Sequence, residues 1–173
     1  MEGARGDAGA LSPSPWVRRW APRVAAGTVL DLACGGGRHA RLFIGQGRQV
    51  VALDREAQDI SGARFIQVDL EDGRPWPLPG ECFQAIVVTN YLHRPLFPRL
   101  AEALAPGGLL IYETFMLGNE RHGQPSNPDF LLRPGELLEA FRGLAILGFE
   151  EGSVTMPKPS VIQRLCAARA AKG

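Results

Sequence analysis

Apolar residues in this chain come in short runs separated by glycine, proline and polar clusters. Runs at about 27–33, 49–54, 64–69, 83–89 and 108–115 are nearly continuous in Val, Ile, Leu and Ala, the pattern of strands buried on both faces of a parallel sheet. Segments at about 37–45, 55–61 and 96–104 have helical patterning and fall between those runs, so the order alternates strand and helix. Ser14-Pro15-Trp16 predicts a short helix with serine as cap and proline in its first turn, limited by Pro22. Residues 116–132 predict a long polar loop, 133–141 a helix, and 144–151 with 160–169 a terminal antiparallel pair. The pattern is that of one α/β domain over 14–173: a doubly wound, seven-stranded sheet, mostly parallel with an antiparallel last strand, and helices on both faces. Residues 1–13, rich in Gly, Ala and Pro, are expected to be a disordered tail.

The segment from Thr28 to Asp54 carries the most chemistry. Val29-Leu30-Asp31-Leu32 runs into Gly35-Gly36-Gly37, a helical stretch follows, and Val50-Val51-Ala52-Leu53 ends in Asp54. Glycines after a first strand let a ligand approach the backbone, and an acid closing the second strand accepts both hydroxyls of a ribose. Gly35, Gly37 and Ala40 match the G-x-G-x-x-[GA] spacing of dinucleotide sites, yet Asp31 lies four residues before Gly35, where its carboxylate would repel a pyrophosphate and attract an amine. Asp69 closes a third run, Arg64 to Asp69. Three acids at successive strand ends suit a cofactor with an amine, a sulfonium, a ribose and an adenine edge but no phosphate, which is S-adenosylmethionine.

Val29 to Gly37 resembles the first motif, [VL]-L-[DE]-[LV]-G-C-G-x-G, of class I S-adenosylmethionine-dependent methyltransferases. Val51-Ala52-Leu53-Asp54 is similar to the second motif, Ile66 to Leu70 to the third, Phe83 to Leu92 to the fourth, and Leu104 to Glu113 to the fifth, L-x-P-G-G-x-L. More loosely, the chain resembles the small tellurite-resistance type within that family. The resemblance implies a Rossmann-like fold, S-adenosylmethionine as cofactor and S-adenosylhomocysteine as product. It places Asp54 on the ribose, Asp69 on the adenine amine and Asp31 near the methionine amine. Ala33, Gly35, Gly37, Arg38, Arg55, Leu70, Asn90 and Tyr91 complete the expected cofactor contacts. Ala33 replaces the motif's first glycine, a small-for-small exchange expected to cost little, and Asn90 stands where many relatives have Asp or His.

Composition narrows the partners. With 19 basic and 18 acidic residues scattered along the chain, no basic face is expected for a nucleic-acid backbone. No apolar run reaches the roughly 18 to 20 residues of a membrane span, and the start carries Glu2 and Asp7 instead of a secretory core. Three widely spaced cysteines suggest reduced thiols in the cytoplasm, and no zinc spacing occurs, so no metal site is expected. The expected partner is a small-molecule acceptor; oligomeric state stays open.

Direct displacement at a sulfonium methyl needs the acceptor held in line, about 3 to 3.5 Å away, with water excluded. Tyr91, His93 and His122 are the candidates to orient the acceptor and, where it carries a proton, to remove it. The Asn, Arg, His and Gln side chains of 118–128 are expected to close over it. Cys34, Trp16 and Trp20 read as packing residues and His39 as cover for an exposed helical turn. Trp76 reads either as an adenine wall or as a loop anchor, and Glu113 as pocket edge or buried ion pair. Competing readings are a noncatalytic S-adenosylmethionine-binding or sensing domain, a methyltransferase of macromolecules, and a nicotinamide-dependent reductase, the last opposed by Asp31 and by the L-x-P-G-G-x-L turn.

Overall fold

The computed structural model describes residues 11–173, so most of the expected tail lies outside the described residues. Seven strands, β1 (Val29–Leu32), β2 (Val50–Asp54), β3 (Ala63–Gln67), β4 (Phe83–Thr89), β5 (Leu104–Phe115), β6 (Ala145–Val154) and β7 (Ser160–Ala168), form one sheet in the order β3-β2-β1-β4-β5-β7-β6. Strands β1 to β5 are mutually parallel, and β7 runs antiparallel to both β5 and β6. Strand order reverses between β1 and β4, which opens a crevice at the carboxyl edge of the sheet, the usual ligand position in such folds.

Period-2 alternation sorts the strand residues onto two faces. Leu30, Leu32, Ile86, Val88, Leu110 and Tyr112 pack against α3 (Phe97–Glu102) and α4 (Glu136–Ala140), with Phe97, Leu100, Leu137 and Phe141 facing them. Val29, Ala85, Val87 and Ile111 pack on the other face against α1 (Pro15–Trp20) and α2 (Arg38–Gly45), through Trp16, Trp20, Ala40 and Phe43. Ser14 caps α1 as its sequence predicts, its hydroxyl accepting from the Trp16 and Val17 N–H groups.

Two elements differ from their sequence patterns. No helix forms over 55–61. Asp54 Oδ1 takes the Glu56 N–H at 2.9 Å and turns the chain, and Ile60 is the one buried residue of the segment, too little apolar surface to hold a short helix. Strand β5 begins at Leu104, four residues early, so Pro106-Gly107-Gly108 is an irregularity inside the strand and not the turn before it. A Cβ on Gly108 would lie 2.7 Å from the Phe83 carbonyl oxygen, so only glycine fits there.

Candidate active site

The turn after β1 is built from residues in the left-handed region. Ala33 has φ 54°, Gly35 50° and Gly37 81°. For Ala33 the glycine replacement therefore carries a backbone cost of roughly 1 kcal/mol, more than a small-for-small exchange suggests. The Cys34 N–H donates to the Leu53 carbonyl at 2.9 Å, and the Gly35 N–H donates to Asp54 Oδ2 at 2.8 Å, so the glycine turn is tied to the end of β2. Gly37 caps α2, where a Cβ would meet Ile60 at 2.6 Å; at Gly35 it would meet no protein atom within 4 Å.

Asp31 points to the α2 face. It is 1% exposed, and its Oδ2 accepts the Ala40 N–H at 2.9 Å, in the first turn of α2. Burial pushes its carboxyl up to about 7, opposed by the Ala40 N–H and by Arg38. It holds the helix start beside the turn rather than lining the cavity. Burial, Asp31 and Asp54 push the Cys34 thiol up to about 12, which makes it an inert packing group.

A cavity of about 330 Å³ opens at the carboxyl ends of β1 to β4, lined by Ala33, Asp54, Arg55, Val68, Asp69, Leu70, Glu71, Tyr91, Leu92 and Phe130. That volume is in the range of small-molecule sites. Asp54 already takes two backbone N–H groups, from Gly35 and Glu56, which fixes its carboxylate; each oxygen keeps a second lone pair. Asp69 Oδ1 takes the Glu71 N–H at 2.9 Å. Three carboxylates and one guanidinium face the cavity, an acidic balance that suits a cationic ligand and opposes a pyrophosphate.

Sequence and structure can be matched residue by residue. Ala33, Asp54, Arg55, Asp69, Leu70 and Tyr91 come together in the cavity wall, whereas Asp31, Gly35, Gly37, Arg38, Asn90, His93 and His122 lie outside it. Arg38 donates to the Ser12 carbonyl at 3.1 Å. Asn90 follows β4 with φ 54°, its N–H donating to the Glu113 carbonyl. His93 sits behind the wall with Nδ1 3.3 Å from Glu71 Oε1. His122 is exposed on a surface turn. Tyr91 is held protonated, since burial, Glu71 and Asp69 push its phenol above its ordinary value; it can orient a ligand but is a poor base at neutral pH. Trp76 anchors its loop by donating to the Leu78 carbonyl at 3.0 Å.

Glu71, Val68, Leu92 and Phe130 are lining residues that motif reasoning did not single out. Phe130 had a signal, as a large aromatic in a polar stretch. The polar side chains of that stretch do not line the cavity, and Asn119 instead anchors the loop through the Val161 N–H and the Pro125 carbonyl.

A second cluster lies on the α1 face at the same sheet edge. His39 covers no exposed turn; it is 1% exposed, and its Nε2 accepts the Ser14 N–H at 3.0 Å while Nδ1 lies 3.5 Å from Thr89 Oγ1. Burial, aided by Arg38, pushes its pKa down to about 3, so the ring is neutral with its proton on Nδ1. Glu113 is the ion-pair alternative: it accepts from Ser14 Oγ at 2.7 Å and from Arg164 Nη1 at 3.2 Å. Among the described residues no three His, Cys, Asp or Glu side chains cluster to hold a metal, and no helix is long and apolar enough to cross a membrane.

A methyltransferase domain family matches residues 29–108. Trans-aconitate 2-methyltransferase of Paracidovorax citrulli is 36% identical over a stretch covering 51% of this chain and 39% of that protein, so the match spans about two fifths of the curated relative's length. The fold resembles that of TehB from Haemophilus influenzae (TM-score 0.72, 17% identity, 88% of this chain and 61% of that one). It also resembles Burkholderia thailandensis 1,6-didemethyltoxoflavin-N1-methyltransferase with bound 1,6-didemethyltoxoflavin and S-adenosylhomocysteine (TM-score 0.66, 19% identity, 90% and 77%).

Proposed function

We propose that this chain, whose residues 29–108 match a methyltransferase domain family, is a class I S-adenosylmethionine-dependent methyltransferase that transfers a methyl group from S-adenosylmethionine to a small-molecule acceptor. The observation that carries this reading is the joining of Asp54 and Asp69, at the ends of neighbouring strands, with the glycine turn around one acidic cavity. Asp54 would hold the ribose hydroxyls and Asp69 the adenine amine. Asp31 supports the glycine turn by fixing α2. Bound there, S-adenosylmethionine supplies an electrophilic methyl on a sulfonium.

The chain's own groups then bind, orient and exclude water. Tyr91 donates from the wall as a neutral phenol, and His93 reaches the cavity through Glu71. His122 has no supporting contact with the wall and is the weakest of the three candidates. The curated relatives named for trans-aconitate act on a polycarboxylate, but the acidic cavity offers it only Arg55, so that acceptor is not carried over. Residues 14–173 acting as one domain in the cytoplasm, with free cysteines, fit the same reading.

Calorimetric titration with S-adenosylhomocysteine tests the cofactor. Release of S-adenosylhomocysteine from a panel of thiols, acids, amines and metalloid oxyanions then identifies the acceptor class. Absence of binding would sink the reading, and robust methyl labelling of bulk RNA, DNA or protein would overturn the small-molecule part.

A further inference from the structure

The loop after β5 reaches the cavity with one side chain, Phe130, which lines it while remaining 50% exposed. The residues that follow it are not exposed: Leu131 and Leu132 are buried, at 1% and 0%. The loop closes on itself where the Leu132 N–H donates to the Phe115 carbonyl and the Leu117 N–H to the Leu132 carbonyl. A half-exposed aromatic on so firmly fixed a backbone, facing an acidic cavity, is a wall awaiting a face to cover it.

What fixes the backbone is Arg94. Its guanidinium bonds both carbonyls that flank Phe130, with Nη1 on Asp129 at 2.8 Å and Nη2 on Leu131 at 3.0 Å. The same guanidinium forks onto Glu136, Nε to Oε1 at 2.5 Å and Nη2 to Oε2 at 3.0 Å. Glu136 is 6% exposed in its side chain and also takes the Arg133 N–H at 2.7 Å, so the fork is anchored on α4. Bidentate geometry of this kind fixes orientation as well as distance, which a lysine ammonium cannot do.

The geometry points to Phe130 as a purine-contacting residue of the cofactor cleft, with Arg94 and Glu136 as the pair that positions it. This rests on the proposed cofactor reading and adds to it a wall from outside the five motifs. Asp54 and Asp69, after β2 and β3, supply acceptors for the nucleoside's hydroxyls and amine; the base also needs an apolar plane, and of the two aromatic rings that line the cavity, Tyr91 and Phe130, only Phe130 comes from outside the motifs and has no polar atom. Four of the five Arg94 N–H donors are engaged by Glu136 and two carbonyls, so its part is positioning.

The test is S-adenosylhomocysteine affinity by calorimetry. Phe130→Ala is expected to raise Kd at least about fivefold, the low end of losing one base-stacking face. Phe130→Tyr keeps the ring and should stay within about twofold of the parent chain. Arg94→Met should raise Kd by a similar factor in the parent chain and add little in the Phe130→Ala background, because its effect runs through that ring. Should Arg94→Met not fold, with Glu136 left unpaired, the charge-neutral Arg94→Met/Glu136→Gln variant replaces it in the same cycle. Unchanged affinity for Phe130→Ala overturns the inference, and so does an Arg94 effect that persists in full without Phe130. Asp54→Ala separates the two levels: if it weakens binding while Phe130→Ala does not, only the Phe130 assignment fails. If Asp54→Ala changes nothing, the cofactor reading fails and this inference falls with it.

Discussion

Asp31 and His39 are buried on the same face of the sheet, and folding moves their protons in opposite directions. Asp31 sits at about 7 in the folded chain against an ordinary 3.8, because burial disfavours its charge. Between those values the folded chain holds a proton that the unfolded chain lacks. Its contribution to stability is full below 3.8 and drains away as pH rises to about 7. His39 is the reverse: at about 3 against an ordinary 6.5, it stays neutral when folded and protonated when unfolded, so its contribution is full above 6.5 and drains away as pH falls. Each slope is about 1.4 kcal/mol per pH unit. Over about pH 4 to 6.5 they cancel. Asp31→Asn removes one slope, and relative to the parent chain its unfolding free energy should climb by about 3 kcal/mol between about pH 4.5 and 6.5. His39→Gln, whose amide oxygen can still accept the Ser14 N–H, should fall by about the same amount over that range. The double variant should run parallel to the parent. Urea unfolding followed by tryptophan fluorescence at constant ionic strength measures all four curves, and subtracting the parent curve removes every other titrating group. If either single variant tracks the parent with no change of slope, the burial argument for that residue is wrong.

Asp54→Ala should weaken S-adenosylhomocysteine at least about tenfold and also lower stability by about 1 to 3 kcal/mol, because it strips the acceptor from two backbone N–H groups; calorimetry and urea unfolding read the two losses separately. Gly37→Val should destabilise the chain strongly, since its Cβ would meet Ile60 at 2.6 Å and φ is 81°. Gly35→Val has open space around it, so its folding cost is held to roughly 1 to 2 kcal/mol of left-handed strain; although Gly35 is outside the cavity lining, the first-motif reading expects S-adenosylhomocysteine binding to be lost, and unchanged affinity by calorimetry would refute that reading. Among Tyr91→Phe, His93→Ala and His122→Ala, an essential base would cost roughly 100- to 10,000-fold in turnover with cofactor affinity kept. We expect His122→Ala to be silent and Tyr91→Phe to act modestly through lost orientation; full turnover in all three would leave catalysis to positioning alone.

How much of this was legible in the chain follows from the range of each signal. Motif residues on adjacent strand ends, Ala33, Asp54 and Asp69, are brought together by the parallel register alone, and register is what buried apolar runs encode. The fifth motif identified the strand but not its start, because Gly107 and Gly108 look like a turn whether they precede a strand or bulge within one. Asp31 shows a sharper limit. Its spacing from Gly35 is visible in sequence, but side-chain direction in a strand alternates, and facing α2 turns a presumed amine ligand into the support of a helix start. The surroundings of His39 and Phe130 were out of reach for a related reason. Each takes its surroundings from a partner far along the chain, Ser14 for one and Arg94 for the other, and neither pairing has a local spacing to betray it. The cavity thus has two origins: a floor of motif acids set by strand order, and an outer wall set by an ion pair between the segment after β4 and α4. Relatives sharing the floor need not share the wall, so the side chain at position 130 and its Arg94 clamp are where differences in ligand fit should be sought.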